Sequence, residues 1–272
     1  MRKTGIGDVL LNVYDKWHNK FYEKIRNKQP LLGTWITIPH PEIVEILSNL
    51  PFDWLLFDME HAPLSISDIE KMLMALKGTD IVPLVRVPWN DPVEIKRVLD
   101  LGVGGIMVPQ VNNRDEAIRA VKAVRYPPDG IRGVGPRRCI MYGFWDIDEY
   151  FNNWNKRAII IVQIETKSGY ENLEEIIGVD GISGIFVGPL DLSASLGLFG
   201  KTESPEFLDI LQDIARRAMK YNKIIGIMAR TPDFAKKALE MGYNFISLSH
   251  DIKYIIEGAK IYLNRIGITK SN

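Results

Sequence analysis

The sequence predicts an α/β fold, a (β/α)8 TIM barrel with an extra N-terminal helix, and three observations carry that prediction. Short β-branched runs alternate with longer helical patterns, and the alternation recurs eight times. None of the runs is followed by the G-x-G-x-x-G turn of a doubly wound open sheet; in "GVGGIMVP" the glycines come before the strand. The length of 272 residues suits one barrel with a substantial core.

In chain order, the first element is helical. Val9, Leu10, Val13, Trp17, Phe21 and Ile25 recur at helical spacing over residues 8–26, which predicts an amphipathic helix docked on the barrel or on a neighbouring subunit. Residues 1–28 form this extension and 29–272 the barrel domain. The eight expected strands are residues 31–38, 54–60, 82–87, 105–109, 158–165, 184–188, 224–229 and 245–250, each a largely apolar run. Helical patterns such as "SISDIEKMLMALKG", "DPVEIKRVLDLG", "RDEAIRAVKAV" and "TPDFAKKALEMG" separate them. Residues 125–157 are long for a βα connection and dense in Arg, Gly and aromatic side chains, which marks a functional loop.

Composition narrows the function. Lys plus Arg equals Asp plus Glu at 34 each, so no net field draws the chain to nucleic acid or to an anionic membrane, and the expected partner is a small molecule. The single cysteine, Cys139, excludes an intramolecular disulfide and a Cys-based zinc cluster. With no Cys-His motif around it, it is expected to be a packed thiol. There is no signal-peptide run and no apolar stretch near the ~18 residues that span a bilayer, so a cytoplasmic location is expected.

The catalytic groups of a barrel gather at the C-terminal ends of its strands. Those ends supply Asp58, Glu60 and His61 from the second strand, Arg86 from the third, Gln163 and Glu165 from the fifth, and Asp191 just past the sixth. A period of two puts Gln163 and Glu165 on one face. Glu165 and Asp191 on adjacent strands could face each other and share a divalent cation with all-oxygen ligation, or they could pair with arginines or cap helices. Arg86 presents a guanidinium suited to a carboxylate or enolate, or to a structural salt bridge. Amides following Pro189 open a helix and suit an anionic carboxylate. His61, flanked by carboxylates, fits a base, since imidazole ordinarily titrates near neutrality. His18 and His40 fall outside these groups, and His250, ending the eighth strand, is expected to be a satisfied rim histidine.

"FDWLLFDMEHAP", "VRVPWNDPVEIKRVLDLG", "RYPPDGIRGVG", "VQIET" and "FVGPLDLSASLG", in that order, resemble the HpcH/HpaI aldolase family, the metal-dependent pyruvate aldolases of the 2,4-dihydroxyhept-2-enedioate aldolase type, over about residues 30–255. The resemblance implies reversible cleavage of 4-hydroxy-2-oxo acids to pyruvate and an aldehyde. It implies that Glu165 and Asp191 bind Mg2+, Mn2+ or Co2+, with Gln163 holding a water on the ion. Arg86 would contact the pyruvate oxygens, amides in the stretch Gly188-Pro189-Leu190-Asp191 its carboxylate, and Trp35 would be an active-site aromatic. His61 would work with Asp100 as a proton-moving dyad. The resemblance also implies a homohexamer with sites completed across subunits, Arg132 and Arg138 reaching a neighbour's pocket. Three positions depart from the pattern: "SLSHD" in the eighth strand, Cys139 in "GPRRCIMYG" and Met228 in "GIMAR". They bear on which aldehyde binds. The competing readings are a citrate-lyase-like acyl-CoA lyase and a non-catalytic oxo-acid-binding barrel.

Overall fold

The eight apolar runs become eight parallel strands: β1 (Leu31–Ile36), β2 (Trp54–Asp58), β3 (Val82–Arg86), β4 (Gly105–Val108), β5 (Ile159–Ile164), β6 (Gly184–Val187), β7 (Ile224–Ala229) and β8 (Phe245–His250). Each pairs with the next and β8 pairs with β1, so the sheet closes into a barrel. The computed structural model describes residues 20–268. Several strands stop one or two residues short of the expected C-terminal ends, because there the chain leaves the ladder for the loops, and polar residues such as Glu60 and Glu165 lie in that short exit.

The helices are α1 (20–26), α2 (Pro41–Ser48), α3 (Ile66–Ala75), α4 (Pro92–Asp100), α5 (Arg114–Val124), α6 (Ile147–Arg157), α7 (Lys167–Glu171), α8 (Leu173–Ile177), α9 (Pro189–Ser195), α10 (Pro205–Ala218), α11 (Pro232–Met241) and α12 (Asp251–Arg265). Their starts are chemically encoded. Asp91, Ser204 and Thr231 each accept backbone N–H bonds at an N-cap and are each followed by proline, whose missing N–H is harmless in the first turn. Of the helix expected over residues 8–26, residues 20–26 are helical; 8–19, with His18, lie outside the described residues.

Alternation along the strands builds two cores. Leu55 and Phe57 point outward to the layer between sheet and helices, while Trp54 and Leu56 point into the barrel with Leu31, Leu84, Ile161, Phe186 and Phe245. Trp54 stacks on Phe245 with ring centroids 4.1 Å apart. Gly33 makes this possible: a Cβ there would lie 2.1 Å from the Trp54 ring. From α1, Phe21 meets Phe245 edge-on and plugs the N-terminal end of the barrel. Carried one step further, the same alternation turns Trp35, Asp58, Arg86, Gln163 and Met228 into the barrel at its C-terminal end.

Residues 125–157 differ from expectation in two ways. They connect α5 to β5, so they lie on the N-terminal face and not beside their own chain's mouth. They also contain α6, capped by Asp146, with acidic residues in its first turn and Lys156 and Arg157 in its last. Arg132 and Arg138 are committed inside their own chain, contrary to the expectation that they reach a neighbour. The Arg132 guanidinium is fully buried between the Tyr126 and Trp154 rings and pairs with Asp100 at 2.7 Å. Arg138 donates to the carbonyls of Leu101 and Leu73. Cys139 is buried, as expected of a packed thiol.

Candidate active site

At the C-terminal end of the barrel the inward side chains enclose a cavity of about 300 Å3. Trp35, His61, Arg86, Gln163, Asp191 and His250 are among its walls, with the backbone of Gly188, Pro189 and Leu190. A larger groove of about 880 Å3 opens at the opposite end, near Tyr22, Arg125 and Lys223. Two of its cations are already used: Arg125 pairs with Asp180, and Lys223 donates to the carbonyls of Ile177 and Val179. The smaller cavity is where chemically useful groups converge.

Arg86 organises one wall. Its Nε and one terminal nitrogen donate to both oxygens of Asp58 at 2.8 and 2.7 Å, a bidentate pair that fixes the plane of the guanidinium. The other terminal nitrogen lies 2.7 Å from Glu60 and donates to Gln163 Oε1 at 3.4 Å. The Trp35 ring lies under the guanidinium, 4.1 Å from centroid to carbon. The structural salt bridge to Asp58 thus coexists with a nitrogen turned to the cavity. Burial pushes the Glu60 carboxyl above its ordinary range, with Arg86 pulling it back.

Glu165 lies behind Gly188. It accepts from the Gln110 backbone N–H at 2.7 Å and from Gln163 Nε2 at 3.1 Å. Burial, with Glu60 and Asp191 nearby, pushes its carboxyl up to about 7. The absence of a side chain at Gly188 lets the two carboxylates approach: a Cβ there would meet Glu165 Oε2 at 3.2 Å and Asp191 Oδ2 at 3.6 Å. Two carboxylates, one disfavoured as an anion, therefore close on Gly188, where a side chain would crowd Glu165. This donor set fits a hard divalent cation with water and substrate oxygens completing its shell. No cluster of three or more His, Cys, Asp or Glu side chains placed to hold a metal occurs among the described residues.

Asp191 is not an N-cap. Gly188 takes that position for α9 without a side-chain bond, and Asp191 lies in the first turn. Pro189 has no N–H, so Leu190 and Asp191 supply the first amides, which have no partner within the helix. His61 is 67% exposed in its side chain, with Nε2 3.9 Å from Glu60 Oε2. His40 caps α2 by accepting from the Glu42 N–H.

Asp100 is the expected site residue that the chain does not bring to this cavity. It ends α4, which descends from the rim for nine residues, about 13 Å at 1.5 Å per residue, to the N-terminal end of the barrel. There it pairs with Arg132 while its side chain stays 24% exposed. No His61–Asp100 dyad forms within one chain. Sequence reasoning in turn passed over Gln110, whose left-handed backbone (φ 54°) delivers the amide to Glu165. A non-glycine residue forced into that conformation leaves no mark in the sequence. It also gave no role to Asp58 and Glu60, although "DMEH" put both beside His61.

A family model described as HpcH/HpaI aldolase/citrate lyase matches residues 31–258. The chain is 42% identical over 239 residues to the 5-keto-4-deoxy-D-glucarate aldolase of Enterobacter sp. (strain 638), covering 88% of this chain and 93% of that one. Among solved structures it is similar to an HpcH/HpaI aldolase/citrate lyase family protein from Burkholderia cenocepacia J2315, with TM-score 0.86, 31% identity and coverage of 91% and 99%. It is also similar to an HpcH/HpaI aldolase from Desulfitobacterium hafniense DCB-2, with TM-score 0.82, 27% identity and coverage of 89% and 96%.

Proposed function

The chain belongs to the HpcH/HpaI aldolase/citrate lyase family and is a carbon–carbon lyase of the aldolase type, and we propose that it cleaves 4-hydroxy-2-oxo acids reversibly to pyruvate and an aldehyde with the help of a divalent metal. The observation that carries this reading is the approach of the Glu165 and Asp191 carboxylates to each other at Gly188, with the Arg86 guanidinium joined to Glu165 through Gln163. Glu165 and Asp191 would hold Mg2+, Mn2+ or Co2+. Once bound, the ion supplies positive charge that favours the enolate form of pyruvate.

The chain's own residues do the rest. Arg86, held in plane by Asp58, donates toward the developing enolate oxygen. The amides of Leu190 and Asp191 receive the pyruvate carboxylate, and Gln163, bonded to both Glu165 and Arg86, fixes their spacing. In cleavage a base takes the C4 hydroxyl proton, the C3–C4 bond breaks, and its electron pair becomes the enolate. Returning a proton to C3 gives pyruvate. His61 moves these protons, being the exposed imidazole at the cavity edge.

Asp100 supports His61 from a neighbouring subunit. Its carboxylate pairs with Arg132 of its own chain at the N-terminal end of the barrel, and its exposed edge is the part that would meet a neighbour's His61. α12 presents Ile252, Ile255, Ile256 and Leu263 half-exposed along one side, an apolar face that association would bury and that supports a homo-oligomer, a hexamer in the reading from the sequence. The test is pyruvate release from a panel of 4-hydroxy-2-oxo acids, coupled to lactate dehydrogenase. Release stopped by EDTA and restored by Mg2+, Mn2+ or Co2+ is expected; release that persists under full chelation would overturn the role given to Glu165 and Asp191.

A further inference from the structure

Between α5 and α6 the chain seals a charged side chain completely: the Arg132 guanidinium is 0% exposed. Removing such an ion from water costs free energy that a leucine or methionine in the same aromatic slot would not, so a buried pair of this kind adds little net stability. Its carboxylate partner among the described residues is Asp100, which stays 24% exposed. One member of the pair is locked inside and the other stands at the surface.

The surroundings hold the guanidinium in one plane and one place. The Tyr126 and Trp154 rings lie against it at 4.5 and 4.9 Å. One terminal nitrogen donates to the Tyr150 hydroxyl oxygen at 3.2 Å and the other to Asp100 Oδ1 at 2.7 Å. The rings are tied down in turn. Trp154 Nε1 donates to the Val124 carbonyl at 3.0 Å, and Asn155 both accepts from the Tyr126 N–H and donates to the Tyr126 carbonyl. Arg132 Nε is left buried without a partner, so the arrangement gives up one hydrogen bond to keep the terminal nitrogens where they are. Arg138 fixes the backbone beside Asp100, donating to the Leu101 carbonyl at 2.6 Å. Asp100 Oδ2, by contrast, makes no hydrogen bond or ion pair among the described residues.

We propose that Arg132 is a positioning residue for the reaction in a neighbouring subunit: it holds Oδ1 of Asp100 so that Oδ2 is presented to the neighbour's His61. This inference rests on the reading that Asp100 supports His61 across subunits. A lone surface carboxylate turns about both of its side-chain bonds, and a bond to a sealed guanidinium removes that freedom before the subunits meet. Arg132 touches no reacting atom and acts only through Asp100. Tyr150 and Trp154 of α6 then serve the active site of another copy, which gives the long α5–β5 connection a role although it lies away from its own chain's mouth.

The experiment follows pyruvate release by R132M, R132K, Y150F and D100A, with a melting curve for each. R132M should lower kcat by about 10- to 100-fold, the usual loss when a group that orients a reacting residue is removed, and leave KM unchanged. R132K keeps a single donor and should recover part of the loss, and Y150F, which frees the guanidinium at one end, should lose less than R132M. The D100A/R132M double variant should be no slower than D100A. Subunits of R132M refolded with H61A subunits should regain activity, since His61 of one and the Arg132–Asp100 pair of the other complete a site, whereas R132M mixed with D100A should gain nothing over R132M alone. A merely structural Arg132 would damage its own chain's His61 site as well and prevent rescue by H61A. A raised KM with kcat unchanged, a double variant slower than D100A, or recovery in the R132M and D100A mixture would overturn the role. If R132M does not fold, R132K and Y150F face the same criteria. Failure of H61A and D100A to complement sinks the reading of Asp100 beneath this inference; their success without rescue of R132M by H61A sinks the inference alone.

Discussion

Replacing Glu165 by glutamine isolates the energetic strain built into the site. In the folded protein the Glu165 carboxyl titrates at about 7 against an ordinary value of 4.5, chiefly because it is buried. A folded-state value above the unfolded one means that ionisation opposes folding. The penalty is negligible below pH 4.5, grows as pH rises to about 7 and is fully present above it. Its size at pH 8 is about 3 kcal/mol from the constant of 1.36 kcal/mol per pKa unit. Glutamine removes the charge and can still accept from the Gln110 N–H, but its amide then faces Gln163 Nε2, donor to donor. That mismatch costs about 1 kcal/mol. The E165Q protein should therefore match wild type at pH 5 and exceed it by about 2 kcal/mol at pH 8. For a domain of this size that is a Tm about 4–8 °C higher. The assay is thermal unfolding by circular dichroism in EDTA at both pH values, with Mg2+ or Mn2+ added in parallel. The ion should raise the Tm of wild type at pH 8 and not that of E165Q, which should also release no pyruvate. A Tm difference that is the same at pH 5 and pH 8 would refute the claim that a buried, disfavoured carboxylate lies at the centre of the site.

The remaining predictions concern neighbouring parts of the machine. H61A should lower the rate of pyruvate release by about 10²- to 10⁴-fold, the usual contribution of a proton-transfer group, with an unchanged melting curve because the side chain is mostly solvent-exposed. Mixing H61A and D100A subunits by denaturation and refolding should restore activity that neither shows alone, measured by the same coupled assay; no recovery would mean that Asp100 does not act across subunits. D58A leaves Arg86 buried without its bidentate partner and should lower stability by about 3–5 kcal/mol, read by urea unfolding, while raising KM for pyruvate-derived substrates. G33A drives a methyl group into the Trp54 ring and backbone and should cost about 3 kcal/mol or more, seen as loss of soluble protein or of several degrees in Tm.

Much of the site could be read in advance because a barrel converts strand periodicity into location. Once "WLLFDME", "VPLVRV" and "AIIIVQIE" are taken as strands, the last inward position of each must lie at the mouth, and Asp58, Arg86 and Gln163 follow without any contact being known. The register of β8 was not legible in this way, since the bulge at Ser249 comes from pairing with β1 and not from any residue preference in "FISLSH". α6 was overlooked for a different reason. Its aromatic and charged residues resemble a loop when counted, and only the cap at Asp146 and the fit of Tyr150 and Trp154 around Arg132 show a helix.

The sequence alone determined the architecture, the end of the barrel that carries the chemistry and the chemical types gathered there, because hydrophobic periodicity and the chain direction of parallel βα units fix them locally. The tertiary structure decided which of those groups meet. It joined Arg86 to Asp58 and Glu60, brought the Glu165 and Asp191 carboxylates together at Gly188, turned His250 inward, and carried Asp100 to the far end of the barrel beside Arg132. These outcomes depend on distances between segments far apart in the chain, set by closure of the sheet and the length of each helix, and no local pattern of residues encodes them.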